Sequence, residues 1–315
     1  MAQQLPPPCQ RLLRRQSGVI AAWQTGSAEL GPRRMEALVH DGRWQRLQRG
    51  VYASFTGEPP RKAVLWAAVL RAGPQSILSH ETAAELDGLL DKPSKLLHVT
   101  IPQTQRLQPI AGFVIHRSTR ILEARDPSRR PPRTIIEETV LDLAAETTSF
   151  DDVISLLARA CQRRLTFPVL LRRAVEVRAR MRWRAEILLA LEDVADGVES
   201  PLEYRYLRDV ERAHGLPHAT RQAHAAQDGR SIRRDVLYGE YGVVVELDGR
   251  INHVDRRLQD DRRDNTAAAE GIIALRYGWP DVTERRCKTA VQVGETLRRR
   301  GWPGPLRTCR HCARS

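Results

Sequence analysis

The chain has no apolar run near the roughly 18 residues that a membrane-spanning helix needs, and its best candidate, AVLWAAVLRAG from Ala63, is about half that length. A membrane function is therefore not expected. The N-terminal MAQQLPPPCQRLLRR has arginines but no apolar stretch behind them, so no secretory leader is expected and the predicted location is the cytoplasm. Cysteine is scarce and odd in number, five in 315 residues, which predicts reduced thiols instead of a disulfide framework. Cys309 and Cys312, in CRHC, have metal-ligand spacing with His311 between them. No second CxxC completes a four-ligand zinc site, and the expectation over 302–315 is a frayed basic tail. Acid is also in deficit: 38 Asp plus Glu face 51 Lys plus Arg, leaving a formal charge of +13. Such a surface favours a polyanion as partner, through long-range attraction and counterion release, although an arginine-rich surface without a partner has the same composition. With 41% hydrophobic residues the chain is expected to fold, and its length allows about two domains.

Helical spacing is read at Val19, Ile20 and Trp23 in Gln16–Gln24, and again at Met35, Leu38 and Val39 in Pro32–His40. Asp41-Gly42 then turns the chain into RWQRLQRGVYAS, which has the pattern of a twisted hairpin with a turn at Gly50. Two short helices and a basic hairpin predict a winged helix-turn-helix over 1–60. Arg33 and Arg34 would then face the major groove of double-stranded DNA, with Arg43, Arg46 and Arg49 on the wing near phosphate. The competing reading is that these arginines only solvate a small domain.

An α+β region is expected over 61–150, with helices at Ala63–Arg71, Ser79–Leu89 and Ile136–Glu146 and extended LHVTI and GFVIHR. His80, His98 and His116 are scattered through it without ligand spacing and read as structural or surface histidines. Residues 151–196 read as an Arg-rich helical connector.

The order of GRWQRLQRGVY and SHETAAELDGLL resembles the N-terminal region of AbiEi-type antitoxins of type IV toxin-antitoxin systems, over roughly residues 11 to 150. The resemblance implies a winged-helix DNA-binding module followed by a region that, in antitoxins, contributes to neutralisation. It does not imply a toxin partner for this chain, whose C-terminal half departs from a plain antitoxin, and a cognate toxin enters only with the antitoxin alternative.

From Glu199 the pattern becomes helix, strands, helix, strand, helix, an α/β layer over 197–301. In VVVELD, Glu246 and Asp248 leave one face of a strand while Val245 and Leu247 leave the other. Two carboxylates about 4 Å apart would repel by roughly 4 kcal/mol at an effective dielectric near 20, so a cation, a proton or a basic partner is expected between them. Asp235 closes the preceding strand candidate at the distance of a hairpin return. Glu203 follows Ser200 and Pro201 as in a capping box, a role that competes with metal support.

The ordered set Glu203, Asp235, Glu246, Asp248, His253, Arg263 with Asp264, Arg276, Trp279 and Asp281 resembles very-short-patch-repair-like endonucleases and a related domain family of unknown function, which have the restriction-endonuclease-like fold. It implies Mg2+ on Asp235 and Glu246, with Asp248 as ligand or support, His253 as proton carrier, and Arg263 and Arg276 on the phosphate. The chain departs from the wider superfamily at Asp248, where lysine is common. Two functions stay open: a metal-dependent endonuclease, and a non-catalytic regulator or antitoxin that binds DNA and a partner toxin.

Overall fold

The computed structural model describes residues 5–25, 30–227, 230–248 and 271–312. The chain divides into two units, Met1–Glu146 with Arg163–Thr166, and Thr147–Gln162 with Phe167–Ser315; both mix helices with small sheets.

In the first unit the helix expected over Gln16–Gln24 is instead a strand, β1 (Val19–Ala21), and a single 3-10 turn (Ala22–Gln24). The helix lies just upstream, as α1 (Pro7–Arg15). Ser17 and Gly18 break the chain between them with φ of 55° and 79°. A Cβ at Gly18 would meet the Phe55 ring at 2.9 Å, so both the conformation and the space require glycine. The strand is apolar without alternation because it is covered on both sides. Ile20 packs with Cys9 and Leu13 of α1, with Met35 and Leu38 of α2 (Pro32–His40), and with Trp44 and Tyr52. Val19, Ala21 and Val51 pack on Ala63, Trp66, Ala67 and Leu70 of α3 (Arg61–Ala72). The expected hairpin is present as β2 (Gln45–Gln48) and β3 (Val51–Ala53), giving the sheet order β1-β3-β2.

The other flank of α3, through Leu65, Ala68, Val69 and Ala72, packs against Leu78, Val99 and Ile101 of a second sheet. That sheet has the order β4 (Ile77–Leu78), β5 (Leu97–Pro102), β6 (Phe113–Ser118), where β5 and β6 are the expected extended segments and run parallel. Around it lie α4 (His80–Leu86), α5 (Ile121–Ala124) and α6 (Ile136–Glu146), the last with its expected bounds.

The second unit begins with α7 (Phe150–Gln162), α8 (Pro168–Glu176) and α9 (Arg184–Ala195). Helix α10 (Pro201–Arg205) runs on into a π-helical stretch, Tyr206–Arg212. A four-stranded sheet follows, in the order β10-β9-β8-β7, built from β7 (Thr220–Gln227), β8 (Arg230–Tyr238), β9 (Val243–Asp248) and β10 (Ile273–Gly278). Strands β9 and β10 are parallel and the other pairs antiparallel. Two helices close the unit, α11 (Trp279–Thr283) and α12 (Arg286–Arg299). Val236, Tyr238, Val243, Val245 and Tyr277 form a core with Leu202, Tyr206 and Val210 and with Val293 and Leu297 of α12.

The described part of the C-terminal tail is docked, contrary to the expectation of fraying. Trp302 is buried in the same core, and the Arg307 N–H donates to the His214 carbonyl at 2.8 Å. Leu306 lies so close to Gly294 that a Cβ there would come within 2.7 Å of it. Among the described residues, no helix is long and apolar enough to cross a membrane.

Candidate carboxylate site

Alternation along β9 sends Val243, Val245 and Leu247 into the core and leaves Glu246 and Asp248 on the opposite face, as the sequence pattern predicts. The antiparallel register of β8 on β9 pairs Val236 with Val245, and continued by one position it sets Asp235 beside Glu246. Asp235 thus lies three residues inside the end of its strand, not at the close. Its Oδ2 accepts the Leu247 N–H at 2.8 Å, which fixes the carboxylate against β9. On the other side of Glu246, Arg276 of β10 occupies the matching register position. Asp235, Glu246 and Arg276 therefore form a row across three strands. Asp248, one step further along, is exposed and level with Gly278, which offers no side chain.

Burial and then the charge of Asp235 push Glu246 up to about 7, against the opposing pull of Arg276 and Arg234. Asp235 is also raised, by burial first and then by Glu199 and Asp248, while the Leu247 N–H and Arg233 oppose the shift.

Glu203 is buried and held by four contacts. The Ser200 Oγ accepts its backbone N–H at 3.2 Å and donates to its Oε1 at 2.8 Å; its Oε2 accepts the Glu199 N–H at 3.1 Å and the Gln222 Nε2 at 2.8 Å. The capping arrangement is thus present, with the side chain reaching the N–H of Glu199 instead of that of Ser200. Burial raises its pKa, and the nearby Asp235 acts in the same sense.

Gln222 is a residue that sequence reasoning missed. It sits within β7, between the pairs Arg221–Val236 and Ala223–Arg234, yet its φ is +47°. That left-handed backbone is strained for glutamine. Its amide joins two charged groups, donating to Glu203 and accepting from the Arg233 Nε at 2.7 Å, and Arg233 in turn pairs with Glu199. Nothing in the sequence marks a left-handed position inside a strand.

Asp235 and Glu246 offer hard oxygen donors of like charge whose mutual repulsion a cation would relieve, a set that fits Mg2+, which takes one or two carboxylates and keeps several waters. Among the described residues, His, Cys, Asp and Glu ligand atoms gather in threes or more within 4.8 Å at two other places, and the Asp235, Glu246 and Asp248 set is not one of them. His253 and Arg263 lie outside the described residues.

No protein-family model matches the chain, and no curated protein matches it either.

Of the residues expected at nucleic acid, Arg33, Arg43, Arg46 and Arg49 are exposed and Arg34 is half-buried. Arg46 faces Glu36 at 3.4 Å, and Glu36 also accepts the Tyr52 hydroxyl at 2.6 Å. Burial and this bond to Glu36 push Tyr52 up to about 12.

The three histidines read as scattered are brought together. His80 and His116 stack with ring centroids 3.6 Å apart, and the His98 Nδ1 lies 3.1 Å from the His116 Nε2. Glu81, Asp142 and Glu146 face them at 3.5 to 4.0 Å. Burial first, and then His98, push His116 down to about 4. The side chains converge because β5 and β6 run side by side with His98 opposite Val114 and His116 opposite Thr100, which makes the two histidines diagonal neighbours, a proximity that no local spacing encodes.

Proposed function

We propose that the chain is a DNA-binding protein whose second unit is an endonuclease-like domain hydrolysing nucleic-acid phosphodiesters with Mg2+, in keeping with the resemblance to very-short-patch-repair-like endonucleases. The observation that carries this reading is the pairing of Asp235 with Glu246 on adjacent strands, level with Arg276. Burial first, and then the charge of Asp235, hold the half-buried Glu246 near 7 against the pull of Arg276 and Arg234, a perturbation of the kind that marks functional carboxylates.

In this reading Asp235 and Glu246 would hold Mg2+, with Asp248 as a further oxygen donor, and the bound ion would supply polarisation of the phosphoryl oxygen and a more acidic water. Arg276 binds the phosphate and offsets its charge. Glu203 and Gln222 orient the Asp235 end through Arg233, and His253 moves the proton. Residues 1–60 are read as a winged helix, in keeping with the resemblance to AbiEi-type antitoxins, with Arg33 and Arg34 toward the groove and Arg43, Arg46 and Arg49 toward phosphate.

A second reading, a regulator or antitoxin that binds DNA and a partner toxin without cleaving, is favoured by Asp248, a carboxylate at a position where lysine is common in the wider restriction-endonuclease-like superfamily. The test is incubation of the full chain with supercoiled DNA, single-stranded DNA and RNA, with and without Mg2+. Cleavage by the wild type that falls in Asp235→Asn and Glu246→Gln, and by roughly 100-fold or more in His253→Ala, supports the enzyme. All three substrates left intact by metal-loaded, DNA-bound protein would overturn it in favour of the regulator.

A further inference from the structure

The docked tail brings Cys309 and Cys312 to two partners far away in sequence. Cys287, in the first turn of α12, has its Sγ 3.6 Å from that of Cys309. The Cys309 and Cys312 sulfurs are 3.7 Å apart, and the Cys312 Sγ lies 3.5 Å from the His214 Nε2. All four ligand atoms lie within 4.8 Å of one another.

These spacings can be compared with those of a metal tetrahedron. Zinc bonds of about 2.3 Å to sulfur and 2.0–2.1 Å to nitrogen give edges of about 3.8 Å between sulfurs and about 3.6 Å between sulfur and nitrogen. The observed edges agree with both. A disulfide needs sulfurs about 2.05 Å apart, well inside any of these distances, and three thiols cannot all pair with one another.

The surroundings are those of a ligand set. His214 is buried, and its Nδ1 lies 3.0 Å from the Val210 carbonyl. A carbonyl can only accept, so Nδ1 carries the proton and Nε2 has its lone pair free on the side of the Cys312 sulfur, and metal-bound histidines are commonly oriented by such a bond from the other ring nitrogen. The His311 N–H points at the Cys309 Sγ at 3.3 Å, a donor that favours thiolate. Three thiolates around a divalent ion leave one negative charge, and Arg286, Lys288 and Arg310 are adjacent in sequence to the cysteines.

The geometry points to a structural zinc site formed by His214, Cys287, Cys309 and Cys312, which ties the C-terminal tail to the second unit. With four protein ligands and no open position it is a closed site. It is separate from the carboxylate row in both residues and donor chemistry, since soft thiolates select zinc and hard oxygens select Mg2+.

The test uses the full chain, purified in reductant without chelator. Elemental analysis is expected to find one zinc ion per chain, released by a thiol-blocking mercurial. Exchange with Co2+ is expected to give the thiolate charge-transfer band and the intense visible bands of a tetrahedral site. Cys309→Ser with Cys312→Ser is expected to lose the zinc and both spectral features. His98→Ala, in the other cluster, and Cys161→Ser, outside both, are expected to retain them. A wild-type chain with no zinc and no thiolate band with Co2+ would overturn the site, as would a Cys309–Cys312 disulfide found under these conditions. So would metal that survives the double cysteine variant and disappears in His98→Ala. The wild-type Co2+ spectrum decides the matter even if the double variant does not fold. Nuclease activity does not enter, so failure here is distinguishable from failure of the endonuclease reading.

Discussion

Glu246→Gln should stabilise the metal-free protein at alkaline pH. The substitution keeps the shape of the side chain and removes a charge that burial and Asp235 both disfavour. A carboxyl moved from its ordinary 4.5 to about 7 corresponds to a ceiling of about 3 kcal/mol. Glu246 is only partly buried, and solvent screening reduces that to about 1–2 kcal/mol. The folded state keeps its proton up to about 7 while the unfolded chain releases it near 4.5, so the folded state binds more protons in between. Stability of the wild type is therefore lost as pH rises from about 4.5 to 7 and then levels off, and the Gln variant lacks that contribution. Urea unfolding in EDTA at pH 5 and pH 8, followed by tryptophan fluorescence, measures both. The variant is expected to match the wild type at the lower pH and exceed it by about 1–2 kcal/mol at the higher. Added Mg2+ should then raise the wild type by mass action and leave the variant unmoved. A stability gap that is the same at both pH values, or a variant less stable at pH 8, would refute the reasoning that burial and the charge of Asp235 disfavour the ionised Glu246.

Other outcomes follow from the same structure. Binding to double-stranded DNA, read by fluorescence anisotropy at several salt concentrations, should weaken steeply with salt; Arg43→Ala with Arg46→Ala should weaken it on all sequences alike and reduce the log-log slope by roughly 2. Arg33→Ala or Arg34→Ala should instead change the preferred sequence, and a wild-type affinity flat in salt would count against the basic face as the contact. Glu203→Gln should unfold close to the wild type because it still accepts two N–H donors, whereas Glu203→Ala should cost about 1 kcal/mol in chemical denaturation as a lost cap. The depressed His116 should make the protein lose stability as pH falls from about 6.5 towards 4, because the unfolded chain takes up the proton first. His116→Asn should flatten that slope in thermal melts, and an unchanged slope would shift the effect to other groups.

Where one element's own periodicity decides its structure, the sequence was readable. VVVELD is recognisable as a strand because four apolar residues flank its two same-face carboxylates, and the Ser200, Pro201, Glu203 start is marked by local capping chemistry. Helix Ile136–Glu146 has its expected bounds for the same reason. Strand β1 was misread because it is covered on both faces, which removes the alternation that separates strand from helix. The histidine cluster, Gln222 and the tail contacts depend on which segments become neighbours in space. His98 and His116 are 18 positions apart and His214 and Cys312 are 98, and no spacing rule spans those distances. His253 and Arg263, which the endonuclease reading invokes, lie outside the described residues.

Helix α3 is a party wall. Eight of its twelve residues are buried, with one flank closing the β1-β3-β2 sheet and the other closing β4-β5-β6. The boundary that motif reading draws at residue 60 falls just before it. A fragment cut there would leave Val19, Ala21 and Val51 facing water, and at about 1.5–3 kcal/mol for each valine the loss is a large fraction of the stability of a small domain. Any recombination event that transplants the basic hairpin onto another protein must therefore take α3 along or supply a substitute, which makes the portable piece longer than the hairpin itself.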